Sequence, residues 1–184
     1  MKYKFWRHDI KLTILVDNNT IIDRYFLAEP GFSAFIEIDD KKYLFDLGYS
    51  DIFIKNARKL KIDLFNIDQI IISHGHMDHT WGLPHFIQML TEAVIENIPA
   101  KFPTLIAHPE CFEIKKIAKI GAIGSVISKE VLKHYFPLKF SKKPYWISKE
   151  MVFLGEIPRN NHFESQQPIG KAIIKNKEID DFVR

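Results

Sequence analysis

Apolar positions along the chain fall into short runs of period two and a few stretches near period 3.6, the pattern of a mixed α/β fold. Lys11 to Asp17, KLTILVD, predicts a first strand closed by the turn pair Asn18-Asn19. Pro30-Gly31 then punctuates the approach to GFSAFIEID, where Phe32, Ala34, Ile36 and Ile38 share one face of a second strand. A polar turn at 39–42 leads into YLFDLG, so the two strands form a hairpin. Between the strands, Tyr25 and Phe26 read as core side chains. Over 51–60, Ile52, Phe53, Ala57 and Leu60 recur near helical spacing behind a cap at Ser50 or Asp51. Residues 69–73 carry an Ile-Ile-Ile run, as expected of a central strand buried on both faces. Leu83, Phe86, Ile87, Leu90 and Val94 then mark one stripe of a helix with Pro84 in its first turn.

The second half is less regular. Residues 104–107 predict a short strand, and 110–120 a helix carrying Cys111 as a buried, inert thiol. A helix over 128–136 is capped by Ser128, and 138–147 reads as an edge hairpin whose Lys142, Lys143 and Pro144 discourage further pairing. After a strand at 151–154 the apolar density falls, so 155–184 is expected to be a loop and mobile tail. The whole, residues 1–184, is most simply a single domain.

Composition narrows the classes. With 46% hydrophobic and 27% charged residues the chain is an ordinary globular protein. Its net charge of +3, from scattered basic residues, points to no nucleic-acid partner. Neither a signal peptide nor an apolar stretch of membrane-spanning length occurs, so the expected location is the cytoplasm, with no membrane partner. One cysteine allows no internal disulfide, in keeping with a reducing compartment.

Chemistry concentrates in one place. IIISHGHMDHTWGL, 70–83, sets His74, His76, Asp78 and His79 directly after the apolar central run. Imidazole nitrogen and carboxylate oxygen suit zinc, with manganese or iron as neighbours, and a thiolate site is excluded because Cys111 is remote. In an extended segment residues i and i+2 point the same way, so His74 and His76 can grip one ion. Asp78 with the adjacent His79 is more easily assigned to a second, and Gly75 leaves the loop free to bend. His85 reads as a partly exposed helix residue. His108 reads as a helix cap or a ligand contact.

HGHMDH resembles the HxHxDH signature of the metallo-β-lactamase superfamily. Phe45-Asp46-Leu47-Gly48 is similar to that family's strand-ending Asp-x-Gly segment, and the order of elements resembles the N-terminal half of its αββα sandwich. SHGHMDHTWGL, AHPE (107–110) and GEIPR (155–159) followed by Phe163-Glu164 resemble the branch of 7,8-dihydropterin-6-yl-methyl-4-(β-D-ribofuranosyl)aminobenzene-5′-phosphate synthases. The resemblance implies an α/β sandwich truncated to its N-terminal half plus an insert. It implies two divalent metal ions, Asp46 holding the metal loop in place, and Arg159, His162 and Glu164 facing a small, phosphorylated, pterin-like substrate. Read alone, Asp46 would be a strand-end turn carboxylate.

The implied function is a metal-dependent hydrolase using a metal-bound hydroxide, with Asp78 the catalytic residue that orients the nucleophile. The family takes its remaining ligands from a later His, a bridging Asp and a final His. No histidine follows Glu164 here. Self-association or a complementing C-terminal segment is the expected partner, because half a sandwich exposes a sheet edge and an apolar face. The alternative is a non-catalytic remnant or interaction half-domain.

Overall fold

A computed structural model describes residues 9–158, 160–163 and 167–182. In chain order the elements are β1 (Ile10–Val16), β2 (Ser33–Ile38), β3 (Lys41–Phe45), α1 (Ile52–Lys59), β4 (Gln69–Ile71), α2 (Met77–Thr80) and α3 (Leu83–Ile95). There follow β5 (Thr104–Ala107), β6 (Ile114–Ile117), β7 (Gly121–Ala122), α4 (Lys129–Leu132), β8 (Leu138–Phe140), β9 (Tyr145–Trp146), β10 (Val152–Phe153), β11 (Gly170–Ile174) and β12 (Lys177–Asp181).

The main sheet has the order β1-β2-β3-β4-β5-β8. β1, β2 and β3 form an antiparallel meander, and β3, β4, β5 and β8 run parallel. The parallel strands are joined through α1, α3 and α4, as parallel pairing requires long crossovers. α1 and α3 press their apolar stripes on one face of the sheet. Phe53, Ala57, Leu83, Phe86 and Leu90 are fully buried there, and the Phe53 and Phe86 rings lie 6.3 Å apart. On the other face Ile38, Tyr43, Ile71 and Ile106 form a smaller cluster, covered by Tyr145, Ile147, Met151 and Phe153 of the β9–β10 hairpin and its turn. β4 is thus buried from both sides, with Ile70 in the helix-covered core and Ile71 in the smaller cluster, and its C-terminal end delivers the histidine loop.

Several expectations are corrected. Residues 110–120 are a turn followed by β6, not a helix: Lys115, Lys116 and Ile114 are in register with β11, so strand pairing decides the conformation. Residues 155–184, expected as a loop and tail, include the β11–β12 hairpin, which continues β6 and β7 into a second, four-stranded antiparallel sheet. Lys175 and Asn176 take left-handed φ values of 50° and 62° and make its two-residue turn without a glycine. That is why the turn carried no signal. α4 is shorter than 128–136, although Ser128 does cap it by accepting from Val131 N. The proposed 138–147 hairpin is replaced by β8 on the edge of the main sheet and a β9–β10 pair. Tyr25 is 89% exposed rather than core. On edge strand β1, Ile10, Leu12 and Ile14 are exposed beside their partners Ile38, Ile36 and Ala34. Among the described residues no helix is long and apolar enough to cross a membrane.

Candidate metal centre

The site lies where the loop after β4 runs into α2. His74, His76 and Asp78 each offer a ligand atom, and these atoms lie within 4.8 Å of one another. His79 adjoins the group, its Nε2 3.3 Å from Asp78 Oδ2. The His74 ring centroid is 4.8 Å from that of His76 and 4.1 Å from that of His79.

Backbone contacts hold this loop in shape. His76 is the N-cap of α2 in extended conformation and bridges Gly124, while Met77 N donates to Ile123 O at 2.8 Å. Thr80, fully buried, donates its hydroxyl to His76 O. Gly75 passes so close to the 108–111 turn that a Cβ there would stand 1.7 Å from Cys111 O. The buried Lys115 of β6 ties that turn down, its Nζ donating to Glu110 O at 2.9 Å and Cys111 O at 3.0 Å.

Asp46, at the end of β3 and fully buried, reaches the loop from behind. It accepts from Ser73 N (2.8 Å) and Ser73 Oγ (2.6 Å), and from His79 Nδ1 (2.7 Å). Its φ of 52° is the left-handed conformation that Asp tolerates better than most residues. Ser73 Oγ, having given its proton to Asp46, accepts from His74 Nδ1 at 3.0 Å. His76 Nε2 is 2.8 Å from Asp181 Oδ2 on β12. His74 and His76 therefore each have one nitrogen paired with a protein oxygen and the other left to ligate, the arrangement usual in histidine metal sites, while His79 has Nδ1 held by Asp46 and Nε2 turned to the Asp78 carboxylate. Borderline nitrogen and hard oxygen donors on this scale fit a divalent ion of the zinc class.

Without metal, the charges are set by burial and by neighbours. Burial, reinforced by the positive charges of His79 and His76, lowers His74 to about 3. Burial alone would lower His79 too, but the hydrogen bonds to Asp46 and Asp78 outweigh it and raise it to about 9. Burial pushes Asp46 upward against the pull of His79 and the hydrogen bonds from Ser73. Asp78 is lowered, first by its hydrogen bond to His79.

These shifts predict a stability profile for the metal-free protein. Below the ordinary histidine value of 6.5, the unfolded chain takes up a proton at His74 that the folded chain refuses, so stability falls as pH drops from 6.5 toward 3. Above 6.5 the folded chain keeps a proton at His79 that the unfolded chain has lost, so stability falls again as pH rises through about 9. Chemical denaturation of chelator-treated protein across this range should peak near the middle. A steady rise in stability to pH 9 would contradict the assignment.

Of the residues expected to face a substrate, His162 is exposed in a turn, and Arg159 and Glu164 lie outside the described residues. His85 is exposed on α3. His108 is buried, with Nε2 3.3 Å from Glu156, and Cys111 is fully buried, with its thiol pushed up to about 12 by burial. Asp181 is the contact that sequence reasoning missed, and no local pattern in GKAIIKNKEIDD marks it.

Together, the fold and the histidine loop define a protein of the metallo-β-lactamase type with a candidate metal centre. The chain belongs to the metallo-β-lactamase superfamily, whose family model matches residues 27–163. It is 36% identical over 159 residues to the uncharacterized protein MJ0448 of Methanocaldococcus jannaschii, covering 85% of this chain and 57% of that one. It is 26% identical over 183 residues to the 7,8-dihydropterin-6-methyl-4-(β-D-ribofuranosyl)-aminobenzene-5′-phosphate synthase of the same organism, covering 93% and 59%. Among solved structures it is similar to Tm1679, a metal-dependent hydrolase of the β-lactamase superfamily, with TM-score 0.69 and 28% identity over 95% of this chain and 58% of that one. The chain thus spans a little under three fifths of the length of each.

Proposed function

We propose that this chain carries the metal loop of a metal-dependent hydrolase-type enzyme acting on a small molecule. The observation that carries the reading is the convergence of His74, His76 and Asp78 within 4.8 Å, with His79 beside Asp78. His74 and His76 hold one divalent ion, and Asp78 and His79 a second, with zinc the best match to the donors and manganese or iron next. When bound, such ions polarise the electrophilic centre and bring the pKa of water down to about 7. The chain's own part is to hold the donors. Asp46 and Ser73 fix the rings of His79 and His74, and the Asp78 carboxylate, 40% exposed, is accessible to orient the attacking group.

A phosphorylated, pterin-like compound is the substrate class, supported by the likeness to the dihydropterin-related synthase. In this reading Arg159 contacts the phosphate, and His162 and Glu164 line its approach. The enzyme works in the cytoplasm, with a second copy or a complementing segment as its partner.

Metal titration of the chain, followed by assay against phosphoesters including phosphorylated pterins, tests the proposal. About two ions per chain are expected, with binding and any hydrolysis lost in His76→Ala. A chain that binds no divalent ion is a non-catalytic module, and the proposal fails.

A further inference from the structure

We infer that Asp181 is a positioning residue for the metal centre: its carboxylate fixes the tautomer of His76 and thereby couples docking of the β11–β12 hairpin to metal binding. The inference rests on the metal-dependent reading above.

A neutral imidazole carries its single proton on either nitrogen, and only the bare nitrogen can ligate. An acceptor held against one nitrogen therefore selects which one binds. Asp181 Oδ2 stands 2.8 Å from His76 Nε2, and both residues are buried, at 3% and 6% exposure. The carboxylate accepts from Nε2–H and leaves Nδ1 as the ligating atom. The same arrangement recurs at the other end of the loop, where the fully buried Asp46 accepts from His79 Nδ1–H and leaves Nε2. Two buried carboxylates, one from each sheet, thus serve one histidine of each ligand pair, His76 of the first and His79 of the second.

The partners are 105 residues apart in the chain, so the contact exists only while the hairpin is docked. Docking runs through β11, whose Ala172 pairs with Lys115 of β6 on one side and with Ile179 of β12 on the other. In an antiparallel ladder directly paired residues share a face, and positions i and i+2 share a face. Lys115, Ala172, Ile179 and Asp181 therefore all belong to one face of the second sheet. Lys115 holds the turn packed on Gly75, and Asp181 holds His76, so this face grips the loop at two consecutive residues, between the first two ligands and at the second. A metal that needs His76 in one tautomer and orientation favours the docked hairpin, and by reciprocity the docked hairpin raises affinity for the metal.

The experiment compares wild type, Asp181→Asn and Asp181→Ala, each as the full chain. Zinc affinity is read by chelator competition, stoichiometry by titration, and the hairpin by amide exchange with and without zinc. Asp181→Ala is expected to weaken zinc about 10–100-fold at unchanged stoichiometry. Asp181→Asn, whose amide oxygen still accepts from Nε2–H, should recover part of that loss. In the wild type zinc should slow exchange at Ala172 and Ile179, and in Asp181→Ala it should not. Because Asn preserves the shape of the side chain, its affinity remains readable even if the alanine variant folds poorly. Equal zinc affinity in all three proteins overturns the inference, as does the loss of a whole ion from Asp181→Asn, which would make Asp181 itself a ligand. A wild type that binds no zinc instead removes the metal-dependent reading, and this inference with it.

Discussion

Gly75→Ala should abolish tight metal binding while leaving all four donor side chains in place. The added Cβ would stand 1.7 Å from Cys111 O and 2.7 Å from both Cys111 C and Lys115 Nζ. The first two are backbone atoms of a turn that Lys115 fastens through two hydrogen bonds, so the turn cannot retreat cheaply. The loop must move instead, and Gly75 lies between His74 and His76. Metal–ligand distances tolerate only about 0.2 Å. A displacement sufficient to relieve such an overlap spreads the pair beyond use, and affinity should fall by more than about 100-fold, beyond what the loss of a supporting hydrogen bond causes. Overpacking should also lower the stability of the metal-free protein by about 1–3 kcal/mol. Chelator competition and urea denaturation measure the two effects. Zinc affinity within about threefold of wild type, a difference below 1 kcal/mol, would show that the close approach of turn and loop is not rigid.

Asp46→Ala should be the most destabilising change at the centre. It removes a fully buried carboxylate that accepts three hydrogen bonds, leaving Ser73 N, Ser73 Oγ and His79 Nδ1 without their acceptor. Breaking a buried charged pair from one side costs about 3–5 kcal/mol, because the remaining partner stays desolvated. His79 also loses the group that holds its ring and fixes its tautomer, so metal affinity should drop a further 10–100-fold, by about the usual effect of such a partner. Asp46→Asn separates the two roles. Asn tolerates the left-handed φ of 52° as Asp does, so the β3 corner should survive, whereas the neutral amide no longer stabilises a protonated His79. For Asn the alkaline loss of stability should move down from about 9 toward the ordinary histidine value. If Asp46→Ala unfolds at the wild-type urea midpoint, the corner is not the support its hydrogen bonds imply.

How much of this was legible depended on how far apart the cooperating residues lie in the chain. The clustering of His74, His76 and Asp78 was readable because all three come from one short loop, and their ligand atoms do lie within 4.8 Å of one another. β4 was readable because burial on both faces leaves an unbroken apolar run, and α3 because burial of one stripe leaves a helical period. Asp46 was legible only through its likeness to a family segment, since a strand-end carboxylate is otherwise a turn residue. The helix expected at 110–120 failed because Lys115, polar in sequence, is buried in a strand where its ammonium finds two carbonyls. No local pattern announces such a pairing.

The sequence by itself therefore determined the metal loop, the hydrophobic strand that presents it, the helices that cover that strand, and the family to which the chain belongs. The tertiary structure decided what surrounds the loop. It turned an apparent tail into β11 and β12, because strands with one thin apolar face gain stability only once β6 offers its edge. It also brought Asp181 to His76 across 105 residues, a contact set by strand register and not by any spacing along the chain.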